Sequence, residues 1–425
     1  MAHYLTPEHI FTGRDCFTEA VGYLKQCGKK ALLVTGPHVV KSEMFAQLSR
    51  MLADYGIEFV TFSEITGEPT DVMIKAGVSV FRQKGCDYCI GFGGGSPLDA
   101  AKAIAVMAAN EGSISDFNGK EITKMAGPVV AIPTTAGTGS EATKFTVITD
   151  SVNDIKMLLK GDCLIPKIAI VDETFSLSSP QSVTAATGLD ALTHAVEAYT
   201  SRKAMDMTDT LAVSAVKRIM KYLPVAYRDG KNREARHQMA LAALEAGICI
   251  NNSSVTLVHG LSRPIGALFH VAHGISNAML LNACFSFALE GAYERFADLA
   301  RAIGVADEKQ GDIAAAEQFL KAIEHICEVC EVPTLEKYGI PREAFYAAIP
   351  KMAQDALDSG SPGNTRKVPT FEDCQEIYKA KELQIDPLNV EIVEISVETI
   401  QSLNAGHEVT VFKLRVVFVC KKNFA

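Results

Sequence analysis

Short apolar segments alternate with longer segments of helical apolar spacing through the first 180 residues of the chain. The apolar segments are nearly continuous in hydrophobic residues, which is typical of parallel strands buried on both faces. The alternation therefore predicts an α/β domain in which helices cover both faces of a parallel sheet. The expected strands are residues 30–36, 57–64, 87–92, 128–135 and 167–172, and the expected helices are residues 39–56, 71–85 and 96–110.

The pattern changes at about residue 180, where long helical segments replace the strands. Residues 181–383 are therefore expected to form an all-α domain, next to an α/β domain of residues 1–180. The cleft between two such domains is the expected ligand site. Residues 384–425 return to the alternation of strands, interrupted at SLNAG, and we expect a short β-rich extension in the form of a hairpin.

Composition limits the partners of the chain. It has 425 residues, of which 48% are hydrophobic and 21% charged, and a formal net charge of −9. Such a chain is expected to be globular, and its negative charge argues against nucleic acid or an anionic membrane as a partner. We recognise no signal peptide and no membrane-spanning run of about 18 apolar residues. Eleven cysteines scattered through apolar segments indicate reduced thiols and a cytoplasmic location.

Three consecutive glycines, Gly93, Gly94 and Gly95, follow the third expected strand in GFGGGSPLDAAKA. Glycine lets the backbone approach a bulky anion, and the free N–H groups at a helix N-terminus attract phosphate. Ser96 is expected to cap the helix, which then begins with Pro97. A plain strand-to-helix turn is the alternative, but it needs one glycine. The spacing differs from the GxGxxG of the Rossmann fold, so we predict a diphosphate site of another type.

A second polar segment, AIPTTAGTGSEAT, ends the fourth expected strand at residues 131–143. It lies where open α/β sheets bind ligands, at the C-terminal end of a strand. An ordinary loop is the alternative, because threonine and glycine are common in turns. The candidate hydroxyl groups belong to Thr134, Thr135, Thr138 and Ser140.

A carboxylate and three imidazoles form a candidate metal site. Asp190 and His194 are four residues apart in a helical segment and so share one helix face. A satisfied buried Asp–His pair would explain these two residues equally well. His259 and His273 flank a segment that contains proline and glycine. The four together suit a divalent first-row metal, with Fe²⁺ or Zn²⁺ as the leading candidates.

Four motifs in a fixed order give the chain a family resemblance. GGGSPLDAAK, PTTAGTGSEAT, GLDALTHAVEAY and the histidines of VHG and AHG, followed by NTRKVPTFEDCQEIYKA, resemble the iron-containing (metal-dependent) alcohol dehydrogenases over about residues 5–383. The resemblance implies reversible hydride transfer between NAD or NADP and a small primary alcohol or aldehyde, with the metal as Lewis acid. A homo-oligomer, a dimer or larger, is also expected.

The resemblance assigns residues to both sites. Asp190, His194, His259 and His273 would bind the metal, and Lys156 would contact the nicotinamide ribose. The expected cofactor residues are Gly36, Gly93, Gly94, Gly95, Ser96, Asp99, Thr134, Thr135, Thr138, Ser140 and Lys156.

Three features depart from the family pattern. Position 263 carries arginine where the family commonly has a second histidine that relays the alcohol proton, and arginine cannot act as a general base. Position 36 carries glycine where NAD-preferring members often have aspartate, so both NAD and NADP stay open. Residues 384–425 have no recognised counterpart, and one interpretation is that they add strands to a sheet edge of this chain or of a partner subunit.

Arg263 lies four residues after His259, one helical turn from a predicted metal ligand. A salt bridge at the surface or between domains is the simpler interpretation. Alternatively, the guanidinium binds the carboxylate, sulfonate or phosphate of an anionic aldehyde, such as sulfoacetaldehyde or succinic semialdehyde. His270, three residues before His273, is a candidate proton relay, and a structural role is equally open.

Two other function classes fit parts of the sequence. A dehydroquinate-synthase-like lyase would use bound NAD and a metal, but it needs several basic residues for its phosphorylated substrate, and the candidate here is Arg263 alone. A non-catalytic or shell-associated protein would use the β-rich extension for interaction, but the intact set of metal ligands argues for activity. We therefore favour the dehydrogenase.

Overall fold

The computed structural model describes residues 3–153, 155–382, 390–404 and 407–420. Six strands form one sheet in the order β1-β8-β5-β4-β2-β3, and every pair in it is parallel, as predicted. The strands of the N-terminal part are β1 (His9–Thr12), β2 (Lys30–Val34), β3 (Glu58–Phe62), β4 (Tyr88–Gly93), β5 (Val129–Pro133), β6 (Phe145–Asp150), β7 (Ile155–Lys160) and β8 (Ile168–Val171). All five predicted strands are therefore present.

Helices cover both faces of this sheet, and strand β2 shows why. Its Leu32 and Val34 pack in one apolar cluster with α3 and α4, whereas Ala31 and Leu33 pack in another with α1 and α2. Successive side chains of a strand point to opposite faces, so burial on both sides requires a continuous apolar strand. These four helices are α1 (Phe17–Cys27), α2 (Glu43–Asp54), α3 (Asp71–Gln83) and α4 (Gly95–Ala109).

Several elements differ from the sequence-based expectation. Residues 39–56 do not form one helix, because Ser42 is extended after a short 3₁₀ turn, and its side chain accepts a hydrogen bond from the Phe45 N–H to start α2. Strand β1 was not predicted; it has four residues at the sheet edge, and its side chains alternate between half-buried and exposed. The antiparallel hairpin β6–β7 was not predicted either, and it packs against α4 outside the main sheet.

The region after residue 180 is helical up to Glu382, as predicted. Helix α5 is its centre, since every residue from Gly188 to Thr200 is buried and α6, α7 and α9 pack around it. One apolar cluster spans these helices and is separate from the clusters on the sheet. The helices are α5 (Gln181–Thr200), α6 (Asp206–Arg228), α7 (Arg233–Asn252), α8 (Leu257–Phe269), α9 (His273–Leu289), α10 (Tyr293–Ala302), α11 (Asp312–Val329), α12 (Arg342–Asp358) and α13 (Phe371–Glu382).

Two further strands, β9 (Val390–Asn404) and β10 (His407–Cys420), pair in an antiparallel hairpin, in agreement with the alternation seen in the sequence. The domain boundaries near residues 180 and 383 stay predictions. In the described part of the chain, no single helix is long and apolar enough to cross a membrane. Helices α7 and α8, which are bent by 102° relative to each other, reach the required length and apolar composition only when they are taken together.

Candidate metal and cofactor site

Helix α5 carries the first half of the candidate metal site in its buried interior. Asp190 and His194 lie one turn apart, as their spacing predicts, and only 2% and 5% of their surfaces are exposed. The His194 Nε2 atom lies 3.8 Å from Asp190 Oδ1. Burial of an unpaired carboxylate is costly, so the position of Asp190 requires partners from other helices.

Helices α8 and α9 supply those partners. His259 is in the first turn of α8, His273 is the first residue of α9, and each Nε2 atom lies 3.6 Å from Asp190 Oδ1. The rings of His194 and His259 stack with centroids 4.6 Å apart. The structure thus brings together all four residues that were predicted to bind metal. The His273 side chain remains 41% exposed, so the cluster opens to solvent on that side.

The donor atoms fit a divalent cation. The ligand atoms of Asp190, His259 and His273 all lie within 4.8 Å of one another. The Asn277 amide Nδ2 stands among them, donating to Asp190 Oδ1 at 2.7 Å and lying 3.3 Å from both the His259 and His273 Nε2 atoms. Several lone pairs therefore converge on one point, and nitrogen and carboxylate ligands of this kind suit Fe²⁺ or Zn²⁺.

Burial sets the protonation of His194. Desolvation lowers the pKa of His194 to about 4, and the nearby Asp190 only partly opposes this effect. The ring is therefore neutral at pH 7, which is the form that binds metals. Burial by itself would raise the pKa of Asp190, but the surrounding histidines outweigh it and hold that pKa below its ordinary value. Asp190 is therefore an anion at pH 7.

Glu197 is a site residue that the sequence analysis missed. It is fully buried on α5, and its Oε2 atom lies 2.6 Å from His259 Nδ1. Its Oε1 atom accepts hydrogen bonds from the Thr256 hydroxyl at 2.9 Å and the Val258 N–H at 2.6 Å. The available signal was its spacing, because positions 190, 194 and 197 share one face of a helix.

Arg263 lies one turn after His259 on α8 and is half-buried. Its Nη1 atom donates a hydrogen bond to Ser361 Oγ at 2.9 Å. Within residues 3–153 and 155–380, whose side chains are described, no carboxylate forms an ion pair with it, which argues against the salt-bridge interpretation. Its charge is close enough to act on Glu197 and His273.

His270 lies apart from the converging ligand atoms. It ends α8 in a left-handed conformation, with φ 54°, and it is exposed. This backbone conformation is uncommon outside glycine, and histidine is among the residues that adopt it more often. The observation favours a structural role for His270 as the turn between α8 and α9, and the relay role stays a prediction.

The two glycine-rich segments lie side by side at the C-terminal ends of β4 and β5. The Thr134 N–H donates to the Gly93 carbonyl at 2.8 Å, and a Cβ atom added to Gly95 would lie 2.8 Å from Thr138 Cγ2. A side chain at Gly95 would therefore crowd Thr138 where the chain turns into α4, and the first amides of a helix, which have no partner within it, can bind an anion.

The predicted cap of α4 is wrong in detail. Gly94 is the N-cap residue and α4 begins at Gly95, where a side chain would crowd Thr138 of the neighbouring loop. Ser96 therefore lies within the first turn. Thr135 is next to Gly94, since an added Cβ on that glycine would be 3.5 Å from Thr135 Oγ1. Gly36 is buried beside Ile65, whose carbonyl oxygen would lie 3.1 Å from an added Cβ.

Asp99 and Ser140 have internal partners. The Ser140 hydroxyl donates to Asp99 Oδ1 at 2.6 Å, and Asp99 Oδ2 accepts from the Val147 N–H. The fully buried Lys102, which the sequence analysis also missed, donates to Ser140 Oγ at 3.0 Å and to the Thr143 carbonyl at 2.9 Å. These bonds fasten the loop to α4 and favour a structural role for Asp99 and Ser140 over direct cofactor contact.

Lys156 lies on β7, between Glu68 and helix α8. Its Nζ atom is 2.7 Å from Glu68 Oε2. The same Nζ atom lies 3.9 Å from where a Cβ atom would be on Gly266 of α8. Lys156 is thus next to the helix that carries His259, and its contact with the nicotinamide ribose stays a prediction.

Comparison with known proteins agrees with this geometry. Residues 7–173 match the family "Iron-containing alcohol dehydrogenase", and residues 184–381 match "Fe-containing alcohol dehydrogenase family, C-terminal". The chain is 36% identical over 382 residues to the NAD-dependent methanol dehydrogenase of Bacillus methanolicus, covering 89% of this chain and 99% of that protein. It is 35% identical over 387 residues to the 1,3-propanediol dehydrogenase of Citrobacter freundii, covering 89% and 98%.

Solved structures give the same result. A 1,3-propanediol oxidoreductase superposes with a TM-score of 0.86 at 33% identity, over 90% of this chain and 100% of that one. A sulfoacetaldehyde reductase from Bifidobacterium kashiwanohense, in complex with NAD⁺, superposes with a TM-score of 0.80 at 26% identity, over 90% and 99%. The resemblance and the fold class are thereby confirmed. The chain belongs to the iron-containing alcohol dehydrogenase family and is an oxidoreductase of the alcohol dehydrogenase type.

Proposed function

We propose that the chain interconverts a small primary alcohol and its aldehyde, with NAD or NADP as the hydride carrier, and that it prefers an aldehyde with an anionic group. The observation that carries the preference is Arg263, a half-buried guanidinium one turn from His259 that is bonded to a neutral serine hydroxyl. Guanidinium binds carboxylate and sulfonate groups in a fixed, two-pronged geometry.

Asp190, His194, His259 and His273 are the proposed ligands of one divalent metal, with Fe²⁺ favoured by the family and Zn²⁺ as the alternative. When bound, the metal supplies Lewis acidity to the substrate oxygen, and the nicotinamide carries the hydride. Three neutral imidazoles and one carboxylate leave such a site with a net charge of about +1, which preserves this Lewis acidity.

The cofactor is proposed to lie across the C-terminal ends of β4 and β5, with its diphosphate at Gly93, Gly94 and Gly95. Lys156 would then meet the nicotinamide ribose beside α8. Gly36 offers no carboxylate to a 2′-hydroxyl and no charge against a 2′-phosphate, so this position does not select between NAD and NADP. The NAD-dependent relative and the NAD⁺ complex favour NAD.

The proton of the alcohol needs a route that avoids Arg263, which cannot accept it. In the oxidation direction, the alcohol gives a hydride to the nicotinamide and releases one proton. We propose that this proton passes to water in the opening beside His273, whose side chain is 41% exposed. His270, on the exposed turn that precedes α9, remains the candidate residue for the outer part of that route.

The dehydroquinate-synthase-like lyase is less well supported, because the relatives described above are named dehydrogenases or reductases. We also retain the proposals of a reducing, cytoplasmic compartment and of a homo-oligomer. The ten cysteines whose side chains are described form no disulfide with one another, which supports the first proposal. A two-stranded hairpin such as β9–β10 is rarely stable alone, which favours its packing against this chain or a second copy.

Steady-state kinetics with matched aldehydes tests the proposed specificity. We expect kcat/KM for sulfoacetaldehyde or succinic semialdehyde to exceed that for propanal. Arg263→Met should lower kcat/KM for the anionic aldehydes by about 10- to 100-fold, since hydrogen bonds to charged groups contribute about 1.5–3 kcal/mol. Arg263→Lys keeps the charge but loses the fork geometry, so its kcat/KM for the anionic aldehydes should lie between the values for wild type and Arg263→Met. Equal values for neutral and anionic aldehydes, unchanged in Arg263→Met, would refute the preference.

A further inference from the structure

Glu197 makes more bonds than a helix cap requires. Helix α8 starts after Thr256, and the Thr256 side chain makes no capping bond to its own helix. The Thr256 hydroxyl instead donates to Glu197 Oε1, which also accepts from the Val258 N–H. One oxygen of Glu197 thus satisfies an amide in the first turn of α8 and ties that helix to α5, which is the usual task of a capping side chain.

The second oxygen of Glu197 faces the ring of His259. Oε2 lies 2.6 Å from Nδ1 of His259, while the opposite ring nitrogen, Nε2, lies 3.6 Å from Asp190 Oδ1. A carboxylate at Nδ1 keeps the proton on that nitrogen and leaves the lone pair of Nε2 free. Both the position and the tautomer of His259 are therefore determined by one side chain.

The burial of Glu197 supports a specific purpose for its charge. The residue is 0% exposed, and in the described part of the chain no lysine or arginine forms an ion pair with it. Burying a carboxylate is costly even where the charge of Arg263 acts on it from a distance, and a neutral glutamine would cap α8 at lower cost. Glutamine has one side-chain oxygen, whereas Glu197 has two. Glutamine therefore cannot accept hydrogen bonds from the amides of α8 with one oxygen and from the His259 Nδ1–H with another.

We propose that Glu197 is a positioning residue for metal binding, because its Oε2 atom holds His259 with Nε2 directed at the Asp190 carboxylate. This inference rests on the proposed function, since it needs a metal at that point. Glu197 itself touches neither substrate nor cofactor. It acts through His259, so its effect should appear in the affinity for the metal ion.

Competition titration of Zn²⁺ against a chromophoric chelator, on metal-free protein, tests this. Glu197→Gln should weaken Zn²⁺ binding by about 10- to 100-fold, the usual effect of losing such an outer partner. Thr256→Val is the matched control, because it removes a bond to Oε1 and leaves Oε2 on His259. It should change Zn²⁺ affinity by less than about threefold while lowering Tm, as expected for a lost buried hydrogen bond.

The outcomes separate the two proposals. Equal Zn²⁺ affinity in wild type and Glu197→Gln would overturn the positioning role, and so would an equal loss in Glu197→Gln and Thr256→Val. Failure of the wild type to bind either Zn²⁺ or Fe²⁺ would overturn the proposed metal site, and with it the proposed function. If Glu197→Gln does not fold, Glu197→Asp replaces it: the shorter side chain keeps the charge but withdraws Oε2 from His259. It should weaken Zn²⁺ binding by about tenfold, and unchanged binding would overturn the inference.

Discussion

Lys102 fastens the segment of residues 140–145 to α4, and replacing it tests how that segment is held. The side chain is fully buried, and its Nζ atom donates to Ser140 Oγ, to the carbonyl and hydroxyl of Thr143, and to the Phe145 carbonyl, at 2.9–3.2 Å. Lys102→Met keeps most of the stem volume but leaves these acceptors unpaired and Asp99 without its nearby cation. Breaking a buried charge arrangement of this kind costs about 3–5 kcal/mol.

Urea denaturation, followed by circular dichroism, measures this loss. Lys102→Met should lower the free energy of unfolding by about 3–5 kcal/mol and weaken NADH binding, because the loop borders Gly95. Adding Asp99→Asn to Lys102→Met should recover about 1 kcal/mol or more, since the uncompensated charge is removed. Lys75→Met, on the exposed side of α3, is the surface control and should stay within about 0.5 kcal/mol of wild type. A loss below about 1 kcal/mol in Lys102→Met would refute this reasoning.

Two further perturbations probe the same region. Burial raises the pKa of Glu141 from 4.5 to about 7, so the folded state favours the neutral carboxyl group. The free energy of unfolding should be highest below about pH 4.5 and should fall by up to about 3 kcal/mol as the pH rises through 7. Urea denaturation from pH 4.5 to 8 should show a smaller fall in Glu141→Gln. Equal pH profiles would contradict this. Gly95→Val places a side chain against Thr138 and should weaken NADH binding by about tenfold or more, as measured by fluorescence titration. Gly22→Ala is the control, because a Cβ atom added there has nothing within 4 Å, and it should leave NADH binding unchanged. Unchanged NADH affinity in Gly95→Val would argue against a diphosphate at α4.

The predictable parts of the fold are those governed by local periodicity. Strands such as β4 and β5 are buried on both faces, so their continuous apolar runs are visible in the sequence. Strand β1 was not predicted because it is short, lies at the sheet edge, and its side chains alternate only between half-buried and exposed. The start of α4 was misjudged because serine is the more common cap, whereas the helix begins at Gly95, where the loop approaches closely at Thr138.

The candidate site likewise contains residues that local spacing predicts and residues whose roles depend on tertiary contacts. Asp190 and His194 could be paired from their spacing, because one helix places them on a common face. Glu197 has an equally regular spacing, but its importance arises from the first turn of α8, about 60 residues away. Whether Arg263 has an acidic partner likewise depends on tertiary contacts. Sequence periodicity therefore finds ligands on one element, whereas the partners that orient them appear only when separate helices pack.

The most direct test of the anionic-substrate specificity is a crystal structure of the metal-loaded protein with NAD⁺ and isethionate, the alcohol that corresponds to sulfoacetaldehyde. We expect a sulfonate oxygen at about 2.7–2.9 Å from a guanidinium nitrogen of Arg263, which is the range for charge-assisted hydrogen bonds. A sulfonate bound elsewhere, with Arg263 still bonded to Ser361 and not to the sulfonate, would contradict the proposed specificity.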